Sequence, residues 1–97
     1  MNSIDEIIQM IAETKEQLRS EFGVTEIGIF GSVVRGGQDA DSDVDILVEL
    51  ERPIGFVKFA RLEKRLSELV GMPVDLVTKK ALKPHMGKRI LEEVRYV

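Results

Sequence analysis

Asp43 and Asp45 are separated by one residue in the stretch Asp-Val-Asp-Ile-Leu-Val-Glu-Leu, which alternates polar and apolar side chains. On a strand, alternate side chains share a face, so both carboxylates project together, one pleat apart, where the strand begins. Like charges that close repel unless a cation lies between them or they share a proton. Hard oxygen donors so arranged suit Mg²⁺, which takes one or two protein carboxylates together with substrate phosphates. Two solvated acids at a strand end is the plainer reading of the same residues. Asp75 stands in Val-Asp-Leu-Val, just after Pro73. Asp is depleted in strands and rarely buried unpaired, so an acid there is unusual. Should this strand lie beside 44–50 in the right register, three carboxylates converge, a set able to hold two metal ions. In any other register Asp75 is an edge-strand acid facing water.

A second group precedes the aspartates. Gly31-Ser32 follows an apolar run and opens a short turn that includes Arg35. Glycine lets backbone approach a ligand closely, and N–H groups at the start of a helical turn attract anions. Ser32 adds a hydroxyl donor, and Arg35, three residues on, can bind phosphate through two parallel hydrogen bonds. Taken alone, this is also what an ordinary turn with a capping serine looks like.

The elements that must position these residues are legible from periodicity. Ser3 and Glu6 form a capping-box pattern, and Ile4, Ile7, Ile8, Ile11 and Leu18 follow at helical spacing toward Gly23. Residues 25–30 read as a strand, 33–35 as one helical turn, and 38–42 as a polar loop. Residues 44–50 form the strongest strand, with Val44, Ile46, Val48 and Leu50 on one face. Phe56, Phe59, Leu62, Leu66, Leu69 and Val70 predict a second amphipathic helix ending at Gly71. A short strand over 74–77 and a last helix over 84–95, with Met86, Ile90, Leu91 and Val94 inward, complete the chain. A helical crossover favours a parallel pair for the last two strands; the shorter first link permits an antiparallel one. The fold class is α/β (α+β): a small mixed sheet covered by helices on one face.

Ninety-seven residues allow one domain, spanning 1–97. At 43% apolar and 32% charged the composition is globular, and a net charge of −3 lacks the basic footprint of a non-specific nucleic-acid binder. With no cysteine and one histidine, thiol chemistry, disulfides and imidazole-rich zinc sites are excluded. No apolar run approaches the ~20 residues of a membrane helix, and the N-terminus lacks the pattern of a signal peptide. A cytoplasmic setting is expected, with chemistry drawn from carboxylates, hydroxyls, glycine backbone and bound ions.

Together the residues read Gly31-Ser32, ten intervening positions, then Asp43-Val44-Asp45, with Arg35-Gly36 between and Ser42 just before the first aspartate. This arrangement resembles the nucleotidyltransferase superfamily that includes DNA polymerase beta. Over nearly its whole length the chain looks like a minimal nucleotidyltransferase (MNT) domain, the antitoxin partner in HEPN/MNT toxin–antitoxin pairs. The resemblance implies a polymerase-beta palm-like fold in which Gly31, Ser32 and Arg35 bind the nucleotide triphosphate. It implies that Asp43 and Asp45 bind Mg²⁺, two ions in all, with Asp75 assisting one metal and the attacking hydroxyl. The implied activity is transfer of AMP from ATP to a tyrosine hydroxyl of a cognate HEPN toxin, releasing pyrophosphate. No nucleic acid or membrane is implied as a direct partner. An antitoxin that occludes its toxin without catalysis and transfer to a small molecule are the rival functions. The chain shows no added acceptor-binding domain, which speaks against the latter.

Other features carry less. Lys79 and Lys80 could reach phosphate or an acidic partner, or belong to a solvated turn; His85 receives no role. Phe56, Phe59 and Leu66 are expected in the core. Lys58, Arg61, Lys64 and Arg65 are expected on a solvated helix face, from which they could steer an acidic partner.

Overall fold

A computed structural model describes residues 4–31, 33–34, 43–82 and 84–97. The expected cap at Ser3, the loop 38–42, Ser32 and Arg35 lie outside these residues, as do the side chains of His85 and Met86. The elements are α1 (Ile4–Phe22), β1 (Val24–Phe30), β2 (Val44–Leu50), α2 (Gly55–Val70), β3 (Val74–Thr78), α3 (Pro84–Glu93) and β4 (Arg95–Tyr96). A single 3₁₀ turn, Lys79–Ala81, follows β3.

The strands form one sheet in the order β3-β2-β1-β4. β1 runs antiparallel to both neighbours, whereas β2 and β3 are parallel and joined by the α2 crossover. Val44, Ile46 and Val48 present one face of β2 to the helices, and all are 0% exposed. Ile27, Ile29 and Leu76 extend that face, while Ile7, Ile11 and Leu18 of α1 and Leu62, Leu66 and Val70 of α2 cover it. Each helix buries residues four or seven positions apart, the stripe needed to lie on a sheet. α2 ends where Gly71, at φ +72°, gives its N–H to Ser67 O at 2.9 Å, a left-handed C-terminal cap. Glu63 of α2 accepts the outward N–H of Leu76 at 3.2 Å, tying helix to edge strand.

Three expectations are corrected. The last helix stops at Glu93, and Arg95–Tyr96 pairs with the free edge of β1. A two-residue strand is too short to show alternation; it is held by Val97 N–H to Ile27 O at 2.9 Å and Lys15 Nζ to the Val97 carbonyl at 2.8 Å. Phe56 is 87% exposed where core placement was expected, because it lies about 80° around the helix from the centre of the Leu62–Leu66–Val70 stripe. Leu91 is 44% exposed, with no element facing it among the described residues, whereas Ile90 and Val94 are half-buried. The face of the sheet away from α1 and α2 is also covered in part: Leu47 is buried there, and Val94 closes over Gly28.

Candidate active site

Asp45 is the second residue of β2 and Asp75 the second of β3. The parallel register pairs Val44 with Val74 and Asp45 with Asp75. It is pinned at its start by Val44 N–H donating to Pro73 O at 2.8 Å. Paired residues on adjacent strands share a face and sit on backbones about 4.8 Å apart, so these carboxylates are neighbours on the face away from α1 and α2. Asp43 immediately precedes β2 and is exposed, as is Asp75, while Asp45 is half-buried. Among the described residues neither Asp43 nor Asp75 has a cation partner.

The end of β1 meets the same point. Phe30 pairs with Asp45 across the antiparallel ladder, so Gly31 arrives directly beside the Asp45 side chain. A Cβ on Gly31 would stand 2.9 Å from Asp45 Cγ and 3.2 Å from its Cβ, with the carboxylate Oδ2 nearer still. Its φ of +83° is a second reason for glycine here. Val34 N–H to Gly31 O at 3.1 Å closes the following turn, where a helical turn was expected over 33–35. The structure therefore brings Gly31, Asp45 and Asp75 to one end of the sheet, with Asp43 at the entry to β2.

Glu93 was not foreseen. Its Oε2 accepts the Gly31 N–H at 3.1 Å, joining the end of α3 to this bend. Glu92-Glu93 closes a helix whose last turn holds no basic residue, the opposite of what the helix dipole favours there. That inversion was the available signal.

Among the described residues no three His, Cys, Asp or Glu side chains gather closely enough to enclose a metal by themselves. The chemistry of the donors still fits Mg²⁺: two adjacent like-charged carboxylates, with further oxygens to come from water and phosphate. The Asp45 carboxylate itself fills the space that a Gly31 side chain would need, so the bend and this donor are packed directly together.

Residues 11–97 match the nucleotidyltransferase domain family. A protein adenylyltransferase, MntA, of Thermococcus cleftensis is 48% identical over 97 residues, covering 100% of this chain and 98% of its own. A solved structure named as a candidate minimal nucleotidyltransferase superposes with a TM-score of 0.74 at 32% identity, over 92% of this chain and 93% of its own. A solved complex of an MNT antitoxin with the tri-AMPylated HEPN toxin of Shewanella oneidensis gives 0.68 at 18% identity, over 93% of this chain and 70% of that one, a likeness of fold. The chain belongs to the nucleotidyltransferase family and has the minimal nucleotidyltransferase fold.

Proposed function

We propose that this nucleotidyltransferase transfers AMP from ATP to a tyrosine hydroxyl of a cognate HEPN toxin and so acts as its antitoxin. The observation that carries the reading is the meeting of Gly31 with Asp45, whose register partner is Asp75: a glycine bend packed against two metal-type donors. Its support beyond this chain is the adenylyltransferase MntA at 48% identity and the AMPylated HEPN toxin held by an MNT antitoxin of like fold.

In this scheme Gly31, Ser32 and Arg35 hold the triphosphate, and Asp43, Asp45 and Asp75 are the Mg²⁺ ligands. Bound Mg²⁺ supplies positive charge against the phosphate oxygens during in-line transfer. The tyrosine oxygen attacks the α-phosphorus and forms the new P–O bond. The bond from that phosphorus to the bridging oxygen breaks, and pyrophosphate leaves with the electron pair. The hydroxyl proton passes to Asp75, the exposed carboxylate at the edge strand. Catalysis is mainly positioning, so the rigid pairing of β2 with β3 does much of the chain's part.

The test is incubation of the protein with labelled ATP, Mg²⁺ and a HEPN protein encoded beside it, followed by mass spectrometry of both. An added AMP on a HEPN tyrosine is expected, lost in Asp43→Asn and Asp45→Asn while both variants stay folded. Full transfer by either variant would refute the metal assignment, and toxin neutralisation by an inactive variant would favour occlusion.

A further inference from the structure

The barest apolar residues lie away from the carboxylates, where the chain passes from β2 into α2. Phe56 is 87% exposed and Val57 67%, the two most exposed large apolar side chains among the described residues. They are the second and third residues of α2, straight after Gly55. Phe56 stands as a ridge between two hollows of about 710 and 310 Å³ that share Ile54, Gly55 and Phe56 in their walls. Exposed apolar side chains that stand together inside a polar rim, as Phe56 and Val57 do, mark contact surfaces, whereas scattered single ones do not.

Cations surround the ridge. Lys58, Arg61 and Lys64 line the larger hollow and Arg52 and Lys80 the smaller, outnumbering Glu68 once Glu21 and Glu49 are paired with Arg65 and Lys79. All five are exposed, and none forms an ion pair among the described residues. The chain as a whole carries a net charge of −3, so this local excess is opposite to the global sign. An apolar knob inside unpaired positive charge is complementary to an apolar pocket or helix face bordered by carboxylates. A ridge with a hollow on each side also suits a protein surface better than a small ligand, which would fill one hollow and leave the ridge bare.

The surface is distant from the carboxylates. Asp45 lies at the first end of β2 and Leu50 at the last, about 17 Å of strand at ~3.3 Å per residue, and Phe56 lies beyond Leu50. A partner held at Phe56 leaves the Gly31–Asp45–Asp75 end open to a side chain that the same partner extends. We infer that the Phe56–Val57 ridge and its ring of cations form a docking surface for an acidic, apolar segment of the acceptor protein, separate from the site of transfer. The inference rests on the proposed protein acceptor and adds to it the means by which this domain holds its substrate. Docking of this kind lowers KM for the acceptor through effective concentration, with no demand on the chemistry.

The experiment uses the full chain and a purified HEPN protein from the same genome, with affinity read by calorimetry and transfer by mass. Phe56→Asp is expected to raise Kd and the acceptor KM at least tenfold, while kcat at saturating acceptor and the thermal shift given by Mg²⁺-ATP stay unchanged. That shift also shows the variant to be folded. Lys58→Glu combined with Arg61→Glu is expected to weaken binding similarly and to flatten its salt dependence. Unchanged affinity in these variants, with transfer intact, overturns the docking surface alone. A wild-type chain that neither binds nor modifies the HEPN protein overturns the proposed function and the docking with it. Concentration-dependent dimers abolished by Phe56→Asp, or a labelled RNA whose binding is lost in the charge-reversed variant, would assign this face to another occupant and overturn the inference.

Discussion

Gly31→Ala perturbs the point where β1 meets Asp45, and two separable effects set its size. An L-residue in the left-handed region costs about 1–2 kcal/mol, and φ at Gly31 is +83°. The new methyl would also stand 2.9 Å from Asp45 Cγ, where carbon atoms favour about 3.5–4.0 Å. The carboxylate must therefore retreat by roughly 0.6 Å or more, and overpacking of this kind costs about 1–3 kcal/mol. Gly71→Ala isolates the first effect, since Gly71 has φ +72° and nothing within 4 Å of an added Cβ. At roughly 4–8 °C per kcal/mol for a domain of this size, Gly71→Ala should lower Tm by about 5–15 °C. Gly31→Ala should lower it by distinctly more, the difference measuring the clash. If Asp45 serves the transfer site, Gly31→Ala also loses on the order of 10²-fold in AMP transfer, because small misplacements of reacting groups have effects of that size. Gly71→Ala keeps its activity below its own Tm. Thermal unfolding by circular dichroism and transfer assays at 20 °C on both variants decide it. Equal Tm losses, or full transfer by Gly31→Ala, would refute the reasoning.

Three further outcomes are expected. Asp75→Asn removes a like charge directly across from Asp45, so the metal-free protein should melt slightly higher while the added stabilisation by Mg²⁺-ATP shrinks; a lower metal-free Tm would contradict this. Glu93→Ala leaves the Gly31 N–H without its carboxylate acceptor and should destabilise by about 1–2 kcal/mol, whereas Glu93→Gln, which keeps an acceptor oxygen, should lose less; identical melting of the two variants counts against that bond. Leu66→Ala empties a side chain that is 0% exposed and should destabilise by about 2–5 kcal/mol, seen as a urea midpoint shifted far down with an unchanged slope.

The sheet was largely legible in the sequence. Alternation over 44–50 and the helical stripe over 62–70 set β2 and α2, and the crossover between β2 and β3 set their parallel pairing. That pairing makes Asp45 and Asp75 neighbours, a register that no single segment specifies. The misplacements share one cause, that burial depends on what lies opposite. Phe56 has the right chemistry but lies about 80° off the buried stripe, and Leu91 meets no facing element among the described residues. β4 is two residues long and exists because β1 offers it an edge. Glu93 touches Gly31 across 62 positions, and only its inverted charge at a helix end hinted that it had a partner elsewhere.

The measurement nearest the central claim is anomalous scattering from crystals grown with Mn²⁺ and a non-hydrolysable ATP analogue. Mn²⁺ is expected at direct ligand distance from Asp45, shared with Asp43 and Asp75, with the triphosphate lying against Gly31. Metal bound elsewhere, or a nucleotide seated on another surface while these carboxylates face only water, would contradict it.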